Sequence, residues 1–318
     1  MTLLKKAFNS VLEKLSQFLF KPVNLSSLGL MRIMLCGTLF YLACYRHINI
    51  DQFMDGSLVP RDEALSIFPE FYRPYITFFA WPDSWAAPVH LFLIGLYFLN
   101  LIGLSNRIVM LVTWAIAQGF IQRNYSVLFG ADLIGNLFLF YLGFTQANEF
   151  YTVKDKLFSG RKFVLDSLTP VFFRLLQFQI CIIYAYTGFE KLKGSTWWDG
   201  TALWTVLANP QFTNYDLIFL RSVPIFFATG TFITIIFEVY FAAMVANLKT
   251  RPYWLAAGVF FHLGIGILLS LMPFSLVMCS TYFLFVDLKD HKQFNLQDHQ
   301  QKIAKFFAKL SQFKTQIR

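Results

Sequence analysis

Charge is what this sequence has least of. Asp, Glu, Lys and Arg together make up 14% of the 318 residues, where a soluble domain carries about a quarter. That deficit excludes an ordinary soluble globular protein. Cysteine is scarce too. Cys36, Cys44, Cys181 and Cys279 all lie in apolar stretches, with no CxxC and no His at metal-ligand spacing. Neither a disulfide framework nor a metal site is expected from them, and they read as small buried residues. The first 20 residues have no unbroken apolar core and no small-residue cleavage site, which excludes a cleavable signal peptide. Soluble intervals are also missing. Apolar runs extend from residue 26 to residue 288 with no gap large enough to fold separately.

What is present is apolar. Hydrophobic residues make up 56% of the chain and aromatics 19%, with mean hydropathy +0.52. Runs near 20 residues are long enough to cross a hydrocarbon core about 30 Å thick. The fold class expected is an all-α polytopic helical membrane protein of about eight transmembrane helices. The expected spans are residues 26–45, 85–104, 108–121, 131–147, 171–189, 224–246, 253–271 and 274–286. Three regions follow: an N-terminal helix over 1–25, a transmembrane domain over 26–288, and a basic tail over 289–318.

The net charge of +9 resides in the tails and in alternate short loops, a distribution that sets orientation in a bilayer and points away from nucleic acid. With the N-terminus inside, 18 Lys and Arg fall on the cytoplasmic side and seven on the outer side. Both termini are therefore expected in the cytoplasm of a bacterial cell, with the chain in the inner membrane. Leu4, Phe8, Val11, Leu15 and Phe18 recur at helical spacing, and residues 302–313 repeat that character. Both ends read as amphipathic helices on the cytoplasmic leaflet, although the second is equally consistent with a frayed polar tail.

Against this background six ionisable sites stand out: Arg32, Asp132, Arg174, the Glu190-Lys191 pair, Glu238 and His262. Charges inside a membrane face the bundle interior and mark either function or a structural pair. Arg32 and Arg174 lie near the cytoplasmic ends, where a long side chain can reach water. Glu238 is deeper and requires a proton or a cation beside it. A lone mid-span His262 serves an interhelical hydrogen bond or a reaction.

The fifth span carries the clearest pattern. Gln177, Cys181, Tyr184, Thr187 and Lys191 share one helix face, a stripe that either lines a cavity or glues two helices together. Desolvation would lower the pKa of a lysine and make it a general base, provided Glu190 points elsewhere. Trp197 and Trp198 suit the membrane boundary as anchors or as a cavity wall. A purely structural role would pair Lys191 with Asp132, Asp199 or Glu190.

Several segments, in order, are similar to a known family. SSLGLMRIMLCGTLF (26–40), FMDGSLVPR (53–61), QRNYSVLFGAD (122–132), TVKD (152–155), GFEKLKGSTWWDGTAL (188–203) and FFHLGIGILLSLMPF (260–274) together span most of the chain. They resemble the HTTM family, bacterial relatives of the membrane part of vitamin K-dependent γ-carboxylase. The resemblance implies a quinone or hydroquinone as cofactor and Lys191 as the base that deprotonates it. Asn124, Tyr125 and His262 would orient the ring oxygen, with Gln177, Tyr184, Trp197 and Trp198 around the ring. In the carboxylases a His stands where this chain has Tyr125, and a Lys where it has Glu190. No luminal domain follows the last helix here, so protein carboxylation is not expected. The expected activity is thus carboxylase- or epoxidase-like quinol chemistry in an outward-facing cavity, with membrane lipid as partner. The alternatives are a non-catalytic membrane factor for export, maturation or immunity of a secreted peptide, and a structural lipid-binding protein.

Overall fold

The computed structural model describes residues 2–50, 66, 68–79, 83–123, 129–157, 165–210, 213, 222–286 and 288. Among these the secondary structure is helical throughout. The helices are α1 (Thr2–Phe20), α2 (Leu25–Ile48), α3 (Arg73–Phe79), α4 (Asp83–Ile102), α5 (Arg107–Arg123) and α6 (Gly130–Gly143). They continue with α7 (Lys154–Leu157), α8 (Leu168–Lys191), α9 (Ser195–Trp198), α10 (Ala202–Leu207), α11 (Pro224–Ala246), α12 (Arg251–Leu268) and α13 (Met272–Ser280), which runs on into a 3-10 turn at Thr281–Phe285.

Local chemistry sets several boundaries. Asn24 caps α2 by accepting from the Ser27 backbone N–H at 3.3 Å. Pro224, Pro252 and Pro273 stand in the first turn of α11, α12 and α13, where a missing N–H costs nothing. Gly103, at φ +74°, ends the segment after α4 in the left-handed region.

A helix stands at each of the eight expected apolar runs. Four of them, α2, α4, α8 and α11, are long and apolar enough to cross a membrane. The α5, α6 and α13 segments are shorter. The expected last span is interrupted, since α-helical geometry ends at Ser280 and a 3-10 turn finishes the run. The C-terminal amphipathic segment and the Gly-Pro loop at 53–61 lie outside the described residues. Helix α1 is present, and its Phe18 ring meets Phe178 of α8 with centroids 6.0 Å apart.

Helix α2 is the axis of the core. Leu25, Leu28, Met31 and Leu35 are fully buried along it, against α4, α6 and α13. Arg32, on the same helix, is also fully buried and does not reach water. Its guanidinium instead donates to five backbone carbonyls: Ala147, Asn100, Leu101, Phe150 and Tyr151. It thereby ties the end of α4 to the turn after α6. Arg174 is placed differently, over the Phe18 ring at 5.0 Å and bonded to Gln177.

Candidate functional site

The α8–α11 contact positions the site. Gly188, three residues before Lys191, lets the two helices approach closely. A Cβ there would stand 3.0 Å from Val239 N and 3.2 Å from Glu238 Cβ. The same approach brings Lys191 Nζ to 2.7 Å from Glu238 Oε2, with 22% and 8% of the two side chains exposed. Lys191 also lies 5.3 Å from the centroid of the Trp197 ring, within reach of a cation–π attraction.

The partner of Lys191 is therefore Glu238, not Asp132, Glu190 or Asp199. Asp132 is held by Arg46 in a two-pronged bridge at 2.6 and 2.7 Å. Glu190 turns away and takes Lys193 at 2.6 Å on the exposed side, an ion pair that raises the Lys193 pKa. Asp199 caps the short helix α9. Adjacent helical residues diverge by about 100°, which is why Glu190 and Lys191 face different surroundings.

Lys191 and Glu238 stand at the rim of a cavity of about 500 Å³ formed by α8, α10, α11, α12 and α13. Its walls are mostly aliphatic and aromatic, among them Ile183, Leu203, Ile233 and Phe274. The volume falls within the range of about 300–1,000 Å³ usual for small-molecule sites.

A second polar group meets the cavity wall. Tyr184 Oη lies 2.6 Å from His262 Nε2 and 2.6 Å from Tyr282 Oη, all three side chains being buried. His262 Nδ1 is buried without a hydrogen-bond partner. Proton direction in this chain follows from satisfaction. If Tyr282 donates to Tyr184 and Tyr184 to His262 Nε2, one donor, the Nδ1–H, is left over. The reverse order would leave both the Tyr282 hydroxyl and Nδ1 unmet. The first arrangement wastes fewer buried groups, which puts the His262 proton on Nδ1.

The structure thus brings Lys191, Tyr184, Thr187, Trp197, Glu238 and His262 around one cavity, with Tyr282 behind the wall and bonded to Tyr184. Gln177 stands outside it. Its amide bonds the Leu284 carbonyl at 2.6 Å and accepts from Arg174, so the lower half of the stripe is the glue and the upper half the lining. Trp198 is 61% exposed and donates to the Leu192 carbonyl at 2.8 Å, which makes it a surface residue, not a wall of the cavity. Asn124 and Tyr125 lie outside the described residues. The sequence marks Glu238 as a costly charge but carries no sign of its partner. Nothing singles out Tyr282 among the aromatics of its run.

An all-helical bundle with membrane-length apolar helices and a buried ion pair at a cavity defines a membrane protein with an internal site. This chain belongs to the HTTM domain family, whose sequence profile matches residues 20–289. It is also similar to the sporulation-delaying protein SdpB of Bacillus subtilis (strain 168), with 26% identity over 117 residues. That similarity covers 35% of this chain and 36% of SdpB, so it spans about a third of the relative's length. No solved structure matches.

Proposed function

We propose that the cavity holds the head group of a hydroquinone or a similar isoprenoid-like lipid, and that the Lys191–Glu238 pair accepts the proton of its hydroxyl. The observation that carries this reading is the ion pair at the rim of an otherwise apolar cavity of about 500 Å³. The lining supports such a group: flat aromatic and aliphatic walls for a ring, the His262 imidazole among them for a ring oxygen, and the Lys191–Glu238 pair as proton acceptor. When bound, a hydroquinone supplies an acidic hydroxyl and two electrons.

Transfer of a proton along the 2.7 Å hydrogen bond from Nζ to Glu238 would turn two opposite charges into two neutral groups and leave an amine as the base. Low polarity around the pair favours that exchange, because burial penalises charged forms. Trp197 shields the pair from the boundary. The surrounding topology we propose has eight crossings, α1 on the cytoplasmic leaflet, both termini cytoplasmic and the cavity toward the outside. The uneven distribution of Lys and Arg supports it.

The test is oxygen-dependent conversion of added 1,4-naphthohydroquinone to its epoxide by the protein in lipid nanodiscs. The wild type is expected to turn over and Lys191→Ala to be inactive. Equal turnover in that variant removes the base assignment. The likeness to the sporulation-delaying protein supports a second reading, a non-catalytic membrane factor for a secreted peptide. That reading predicts a small secreted peptide encoded beside this gene and retained on the purified protein, with no turnover of quinol.

A further inference from the structure

We infer that the cavity opens sideways into the membrane between α11 and α12, and that its ligand is an amphiphile whose chain stays in the bilayer through that opening. The inference rests on the proposed lipid head-group site and specifies how the ligand reaches it.

The two helices are joined by a short turn at Asn247–Thr250 and held together in the half nearest that turn. There Phe237 of α11 stacks on Trp254 of α12 at 5.7 Å and meets Phe261 at 4.9 Å. Beside these rings the seam is lined by residues that also face outward. Ile233 on α11 and Phe260 on α12 both line the cavity, yet they are 55% and 75% exposed. Gly264, one turn beyond Phe260, also lines the cavity, and among the described residues no atom comes within 4 Å of a Cβ placed there. A wall residue that is also mostly exposed marks an edge of the enclosure. These residues place that edge along the α11–α12 seam, at the depth of the apolar helices.

The volume points the same way. About 500 Å³ is the size of a site for a drug-sized molecule, so a ring head group carrying a chain of many isoprene units exceeds it. A long chain must therefore leave the cavity, and leaving it sideways keeps the chain among lipid tails where it already resides. The head group would pass Gly264 to reach Lys191, so the missing side chain at 264 sets which chains fit.

Binding reads this without reference to turnover. In nanodiscs, 1,4-naphthohydroquinone without a chain and its octaprenyl derivative are titrated against wild type, Gly264→Leu, Phe260→Ala and Gly95→Leu. Gly95 also has open space where its Cβ would be but does not line the cavity, so it controls for a leucine added to a helix surface. Gly264→Leu is expected to weaken the prenylated ligand at least tenfold and the chainless one less than threefold. Phe260→Ala should speed association of the prenylated form more than that of the chainless one. Equal effects of Gly264→Leu on both ligands, or no effect on either, overturn the inference. Should Gly264→Leu fail to fold, the association rates with Phe260→Ala decide, and unchanged rates overturn it. Failure of the wild type to bind either compound instead sinks the quinol reading. The opening is then tested by native mass spectrometry of co-purified lipid, where a chain-bearing molecule present in wild type must be depleted in Gly264→Leu but not in Gly95→Leu.

Discussion

Lys191 Nζ and Glu238 Oε2 lie 2.7 Å apart although 47 positions separate them in the chain. The contact exists because α8 and α11 meet at Gly188, and it converts two isolated charges into one neutral unit beside an apolar cavity.

Breaking that unit from one side leaves the other charge stranded. Glu238 is only 8% exposed, so Lys191→Met is expected to destabilise the protein, toward the low end of the 3–5 kcal/mol typical of a broken buried pair because Lys191 keeps some contact with solvent. The double variant Lys191→Met/Glu238→Leu should recover most of that loss, since apolar side chains replace buried ions at little cost. Thermal unfolding in detergent measures both. The exchanged pair, Lys191→Glu/Glu238→Lys, separates structure from chemistry. Restored stability with no quinol turnover supports a base at position 191. Failure to restore stability counts against a purely structural pair.

Much of the scaffold was legible in the sequence and the site only in part. Apolar runs long enough for a membrane marked the helices, and for α11 the expected and observed ends coincide at 224 and 246. The last run also carries a helix, but an apolar sequence says nothing about whether its final turn is α or 3-10. The stripe on α8 placed Tyr184, Thr187 and Lys191 correctly on one face. It could not show that Gln177, on the same face, is claimed by the Leu284 carbonyl, which comes from a segment 107 residues later. Glu238 and Gly188 were visible as residues, but their meeting depends on helix packing, which no local pattern encodes. Trp197 and Trp198 are neighbours of the same type, and only the turn at α9 decides which of them faces Lys191.

The Tyr282–Tyr184–His262 chain makes a separable prediction about ligand affinity. His262→Phe keeps the ring volume and removes the N–H of a cavity-lining imidazole, so binding of naphthohydroquinone should fall by about 2–10-fold, the worth of one hydrogen bond. Tyr184→Phe leaves that N–H in place but releases the bond at Nε2 that fixes its tautomer, and should weaken binding by less. Its stability cost is also modest, about 1 kcal/mol for two interhelical hydrogen bonds that average roughly 0.6 kcal/mol each in membranes. Titration of both variants in nanodiscs checks the order. A larger affinity loss for Tyr184→Phe than for His262→Phe would place the ligand contact on the tyrosine.

Arg32 tests whether the other end of the bundle acts on the site. Its guanidinium serves five carbonyls from two separate segments, and Gly103 packs so near it that a Cβ there would stand 3.2 Å from Nη1. Lysine has three donors on one atom and cannot span that set. Asn100 O also accepts from the Gly103 N–H, so Arg32→Lys leaves at least one buried carbonyl unmet, at about 1–3 kcal/mol, and should lower the unfolding temperature. It should leave ligand affinity at Lys191 unchanged where the protein remains folded, because the two residues sit near opposite ends of the long helices that carry them. An affinity change in folded Arg32→Lys protein, exceeding that of His262→Phe, would instead show that the turn clamped by Arg32 controls the shape of the cavity.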